Sequence, residues 1–167
     1  KIIAVNAVGG ISANLTPSTL VIPDQLIDYT WGRDQSFFDG LNSLQDHIEF
    51  TYPYSSELRD ILLNEAINQN LPIIKQACFA CTQGPRLETA AEIQKIKGDG
   101  CDIVGMTGMP EASLARELGL AYACIALVVN PAAGLSDEVI TIDKIKTILD
   151  SGLQDVRLLL SASLGKL

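Results

Sequence analysis

The stretch Ile125-Ala-Leu-Val-Val-Asn130-Pro-Ala-Ala-Gly134 decides how the chain is read. An apolar run stops at an amide, a proline and small residues. Apolar residues at consecutive positions predict a strand covered on both faces, as in a parallel sheet. Asn130 then stands where the strand ends. Pro131 holds Asn130 in an extended backbone and so fixes where its side chain points. A carboxamide carries both donors and an acceptor, and can read a small polar ligand. The alternative is an Asn-Pro turn after a core strand.

Working outward, the 167 residues suffice for one domain with a real core, 1–167, or most of one. A hydrophobic fraction of 47% with 19% charged residues describes a globular chain. A net charge of −8 argues against a nucleic-acid surface. No apolar run approaches the roughly 20 residues of a membrane helix. The chain opens inside an apolar segment, Lys1-Ile-Ile-Ala-Val5, and the expectation is that an N-terminal portion is absent from it. Cys78 and Cys81 form a C-x-x-C, but within an apolar run read as a strand, where positions i and i+3 face opposite ways. With Cys101 and Cys124 they are expected to be buried free thiols of a cytoplasmic protein. One histidine and scattered cysteines make no metal site.

Strands are expected at 1–5, 19–23, 25–30, 73–81, 102–106 and 121–129, and helices at 55–70, 87–97, 110–118 and 143–164. Residues 31–56 read as a long loop of the kind that is functional or covers an interface. Alternation of strands and helices predicts an α/β fold, with a mixed, largely parallel sheet flanked by helices.

Apolar runs end in Asn6-Ala-Val-Gly-Gly10, in Thr82-Gln-Gly-Pro-Arg-Leu-Glu-Thr89, in Met106-Thr107-Gly108 and in Asn130-Pro-Ala132. Ligands of open α/β sheets bind outside the carboxyl ends of the strands, so all four segments are expected along one edge. Each has a plainer reading: Gly9-Gly10 a tight turn, Glu88 an acid at a helix start, Thr107 a cap, Met106 core filler. Glu88 and Asn130 together suit a 6-oxopurine. The carboxylate accepts from N1–H, and the amide donates to O6 and engages N7. Adenine, with a bare acceptor at N1, leaves the carboxylate unpaired at a cost of a few kcal/mol.

These segments, with Gly105-Met-Thr-Gly-Met-Pro-Glu111, resemble the trimeric purine nucleoside phosphorylase and methylthioadenosine phosphorylase family over essentially the whole chain, nearest its S-methyl-5′-thioinosine phosphorylases. The resemblance implies phosphorolysis without a cofactor, inorganic phosphate being a co-substrate that attacks C1′. It implies Asn130 and Thr107 as catalytic residues. Phosphate falls to Asn6, Ala7 and Thr107. The base falls to Val8, Gly9, Leu87, Glu88, Asn130, Pro131 and Ala132, with Asn130 and Ala132 standing where adenine-specific relatives carry carboxylates. The ribose and its 5′ end fall to Met106, Ile142, Ile145 and a neighbouring subunit's His47 within a homotrimer. Isoleucine at 142, where inosine-specific relatives place histidine, favours a methylthio group over a hydroxyl. The family's main phosphate loop and an Arg-His pair precede Asn6 and have no counterpart here, so the chain alone is expected not to turn over. Inosine or guanosine phosphorolysis, a non-catalytic nucleoside-binding module and a water-using nucleosidase are the competing readings.

Overall fold

The computed structural model describes residues 1–38, 47–137 and 139–167. Positions 39–46 of the expected long loop lie outside the described residues. In chain order the elements are β1 (Ile2–Gly10), β2 (Leu20–Val21), β3 (Gln25–Asp28), α1 (Ser56–Asn68), β4 (Ile73–Ile74), β5 (Cys78–Cys81), α2 (Ala90–Gly98), β6 (Ile103–Gly105), α3 (Glu111–Glu117), β7 (Tyr122–Pro131) and α4 (Ile142–Leu164). The strands form one sheet in the order β3-β5-β6-β1-β7-β2-β4. Four neighbouring pairs are parallel, and β1/β6 and β2/β7 are antiparallel. The expected α/β class with a mixed, largely parallel sheet is what the chain adopts.

β7 shows why its sequence is apolar at every position. Tyr122, Cys124, Ala126 and Val128 face a cluster with Phe79, Met109, Ala112 and Tyr54. Ala123, Ile125, Leu127 and Val129 face the opposite cluster, beneath Leu58, Leu62 and Ala66 of α1 and Val156 and Leu159 of α4. Both faces are therefore dry, and a polar residue on either would lose its water without gaining a partner. A third cluster seats Ile93 and Ile96 of α2 against Ala80, Val104 and Ala132.

Four expectations change. The run 73–81 is two strands, because Lys75 and Gln76 interrupt it; β4 pairs with β2 and β5 with β3 and β6, at opposite ends of the sheet order. Asn6 to Gly10 lies inside β1 rather than after it, with Gly9 and Gly10 flanked by β6 and β7. These glycines are ladder residues, not a tight turn after the strand. Asn130 and Pro131 are the last residues of β7, registered against Gly9 and Gly10 across a bulge.

The largest change concerns direction. β1 runs antiparallel to β6, so the carboxyl ends of β5 and β6 point opposite to those of β1 and β7. The four segments do not share one edge. β6 is registered against β1 at Gly9 and Gly10, which brings its carboxyl end beside Val8, two residues before the end of β1. A Cβ built on Gly105 would lie 3.3 Å from Cγ1 of Val8. The special segments thus gather where strand direction reverses within the sheet.

Candidate functional site

Glu88 is held from both sides. Thr82, just past β5, donates its hydroxyl to Glu88 Oε1 at 2.6 Å and also reaches Gly105 O at 3.3 Å. Thr89 caps α2: its hydroxyl accepts from Glu92 N at 3.1 Å, and the Glu92 carboxylate accepts from Thr89 N at 2.7 Å. This reciprocal pair satisfies two donors that a helix start leaves over. Arg86 grips the same carboxylate through both Nη atoms at 2.8 Å. These bonds, Arg86 first and then the Thr89 amide, hold the Glu92 carboxyl down to about 2. Glu88 lines a cavity of about 280 Å³ with Tyr29, Trp31, Thr82, Gln83 and Lys95.

The loop after β6 interlocks with this one. Gly84 has φ +64, and a Cβ there would sit 2.4 Å from Sδ of Met106. A side chain at 84 would be strained and would have to displace the thioether. Thr107 is exposed, and α3 starts at Pro110 without a side-chain cap, so capping does not explain this hydroxyl. Cys81 ties the two strand ends together, its sulfur accepting from Met109 N at 3.2 Å; burial pushes its thiol up.

Asn130 belongs to a different cavity, of about 260 Å³, lined by Pro17, Pro131, Val139, Ile140, Ile145 and Ile148 among others. Its amide donates to Pro131 O at 2.7 Å. The expected convergence of Glu88 and Asn130 on one ring is therefore not what the structure shows. Each polar head is turned aside by a local partner, Thr82 for one and Pro131 for the other. The segments that carry them do meet. A Cβ on Gly134, four residues beyond Asn130, would lie 2.4 Å from Cβ of Ala90, two residues beyond Glu88.

The other expected residues scatter. Pro131 and Ile145 share the Asn130 cavity, whereas Ile142 is 66% exposed and does not line it. Val8, Gly9 and Ala132 are buried; the side chains of Val8, against Phe79, and of Ala132, against α2, are core rather than pocket wall. Leu87 and His47 are exposed. Ala7 is exposed on β1, while Asn6 is buried with its Nδ2 unpartnered among the described residues.

Arg33 was not anticipated. From the loop after β3 it reaches the main chain of both site loops. Its only sequence signal was membership of a long stretch without periodicity. The four cysteines are free, with Cys78 and Cys101 sulfurs 3.9 Å apart. Among the described residues no group of three or more His, Cys, Asp or Glu could hold a metal ion, and no helix is long and apolar enough to cross a membrane.

A family model described as the phosphorylase superfamily matches residues 1–165. A protein of Xylella fastidiosa named "Probable S-methyl-5'-thioinosine phosphorylase" is 53% identical over 137 residues, 82% of this chain and 55% of its own. A protein of the same name from Pseudomonas syringae pv. tomato is 52% identical over 165 residues, 98% of this chain and 67% of its own. Among solved structures, methylthioadenosine phosphorylase from Schistosoma mansoni in complex with adenine superposes with a TM-score of 0.92 at 30% identity, covering 98% of this chain and 64% of that one. The chain thus spans between just over half and two thirds of the length of these proteins.

Proposed function

Because the chain belongs to the phosphorylase superfamily, we propose that the protein as encoded phosphorolyses a 6-oxopurine nucleoside, S-methyl-5′-thioinosine in preference to inosine or guanosine, within purine salvage. Phosphate oxygen bonds to C1′ as the bond from C1′ to the purine nitrogen breaks. The bonding pair moves into the base, giving hypoxanthine and 5-methylthioribose 1-phosphate. The observation that carries this reading is the 52% identity, over nearly the whole chain, to a protein named for that nucleoside.

Each residue has a task that follows from its chemistry. Asn130 donates to the purine as negative charge builds on it, a preorganised dipole of the kind worth roughly 3–4 kcal/mol in a transition state. Glu88 accepts from N1–H and rejects adenine. To meet on one ring, Asn130 exchanges Pro131 O for the base, a swap between hydrogen bonds of similar strength, while Glu88 keeps the Thr82 hydroxyl on Oε1 and offers Oε2 to N1–H. Thr107 and the main chain at Asn6 and Ala7 hold phosphate, and Met106 backs the ribose. Val139, Ile140, Ile145 and Ile148 beside Asn130 form an apolar wall that suits a methylthio group. Ile145, rather than the exposed Ile142, supports that preference. His47 reaching a neighbour's 5′ pocket in a homotrimer, and a cytoplasmic location, belong to the same proposal.

The test is phosphate-dependent release of hypoxanthine from methylthioinosine, compared with inosine, guanosine and methylthioadenosine. It is run on the polypeptide as encoded and on residues 1–167 alone. Turnover that requires phosphate, favours methylthioinosine and is lost in residues 1–167 is expected. Release without phosphate would favour a nucleosidase, and preference for methylthioadenosine would overturn the role of Glu88 and Asn130.

A further inference from the structure

Arg33 sits between the two loops that the proposed reaction needs to keep in register. Its Nη1 donates to Met106 O at 2.9 Å and to Met109 O. Its Nη2 donates to Gln83 O at 2.9 Å and to Thr82 O at 3.3 Å. Among the described residues its hydrogen-bond partners are all carbonyl oxygens. One arm of the fork therefore holds the turn carrying Met106 and Thr107, and the other holds the turn leading to Glu88. The planar group fixes the angle between its arms, so it fixes the two loops relative to each other.

We infer that Arg33 is a positioning residue which couples base recognition to phosphate and ribose recognition by clamping the Thr82–Gln83 and Met106–Met109 carbonyls to one guanidinium. This rests on the functional reading above. Neither loop is tied to the other by sheet pairing beyond β5 and β6, whose last registered pair is Cys81 with Gly105. Past that pair Thr82 N still donates to Gly105 O at 2.8 Å and Met109 N to the Cys81 sulfur at 3.2 Å, and Arg33 adds a direct link between the carbonyls of Gln83 and of Met106 and Met109. A lysine keeps the charge but offers one nitrogen, which cannot fork across both turns. Misplacement of reacting groups by about 1 Å can cost on the order of 100-fold in rate.

Arg59 supplies an internal control. Its Nε donates to Pro23 O at 3.0 Å and its Nη2 to Lys75 O at 2.6 Å, the same type of bonding between two main-chain segments. Arg59 lines neither the Glu88 nor the Asn130 cavity. The experiment compares Arg33→Lys with Arg59→Lys in the polypeptide as encoded. It measures melting temperature, kcat/KM for methylthioinosine at saturating phosphate, and kcat/KM for phosphate at saturating nucleoside. Kinetics are read at a temperature where each variant is fully folded by circular dichroism. Arg33→Lys is expected to lower both kcat/KM values together by about 10- to 100-fold, with Arg59→Lys at wild-type values. Wild-type kinetics in Arg33→Lys, loss confined to one substrate, or equal kinetic loss in both variants would overturn the inference. A wild-type protein without phosphorolysis would instead overturn the functional reading itself.

Discussion

The segment around Glu88 and the segment around Asn130 carry the two groups proposed to read the purine, yet they are built differently. Glu88 lies between a hydroxyl that donates to it and a helix cap that anchors the next residue, with Arg86 and Arg33 bracing the turn. Asn130 is fixed through its backbone, as part of a ladder against Gly9, while its side chain has, among the described residues, the adjacent carbonyl as its partner. The chain beyond it is exposed, Val139 by 75% and Ile142 by 66%. One half of the site is rigid through side chains; the other is rigid through its strand and open beyond it. A group that must recognise a ground-state base gains from being held beforehand. A group that follows charge developing during bond cleavage needs a fixed origin and freedom to swing.

The comparison is broken most directly at its two central residues. Asn130→Ala is expected to lower kcat by about 100- to 1,000-fold, with little change in melting temperature, because it removes one bond to a neighbouring carbonyl. Glu88→Ala is expected to act on selectivity: a rise in KM for methylthioinosine of about tenfold or more and a narrowed preference over methylthioadenosine. Steady-state kinetics with both nucleosides separate these outcomes. If Asn130→Ala changed only KM, or Glu88→Ala only kcat, the assignment of roles to the two halves would be reversed.

How much of this was legible in the residues follows from what each signal encodes. β7 could be read because burial on both faces leaves no room for a polar residue. The helix start at Ser55 was legible because orphan amides at helix starts select small oxygen-bearing side chains, whereas the caps Thr89 and Thr141 were not read, the helices they open having been expected to begin at 87 and 143. Strand direction was not legible, although part of a signal existed. Residues 11–19 between β1 and β2 are too few for the usual helical crossover between parallel strands, and β2 indeed lies antiparallel to β7. The reversal that separates the four segments is the antiparallel pairing of β1 with β6, which no spacing between neighbouring runs marks. The split of 73–81 was signalled by Lys75-Gln76, which a strand buried on both faces would not carry. Arg33 could not be found by pattern. A guanidinium that binds main-chain carbonyls needs no matching residue types, so nothing in the sequence marks its partners.

The rigid half can be loosened without touching the proposed contacts to substrate. Thr89→Ala removes the hydroxyl that accepts from Glu92 N, and an N-cap of this kind is worth about 1 kcal/mol. A fall in melting temperature of about 2–4 °C is expected for a chain of this size. KM for the nucleoside should rise severalfold at temperatures well below the transition, because the residue before the cap is Glu88. Loss of stability with unchanged KM would show that Thr82 alone suffices to hold the carboxylate.

The smallest effect is electrostatic, and its sign is fixed by the carboxyl at the cap. Glu92 titrates at about 2 in the folded chain, chiefly because Arg86 binds it and secondarily because the Thr89 amide does. An unfolded glutamate titrates at about 4.3. A carboxyl whose folded value is depressed contributes stability above the unfolded value, and that contribution disappears as pH falls through the folded one. Both partners face solvent, so the contribution is small and salt-sensitive. Arg86→Ala should therefore narrow the stability difference between pH 6 and pH 2 relative to wild type. The two proteins should converge near pH 2, where Glu92 is becoming protonated in both. Melting curves at low and high salt across that range test the point, and the gap at pH 6 should shrink as salt is added. A gap that persists at pH 2 would mean that Arg86 supports the turn through its other bond, to Leu87 O at 3.1 Å. The brace on the Glu88 side would then be main-chain rather than ionic, bringing it closer in kind to the strand-held Asn130 side.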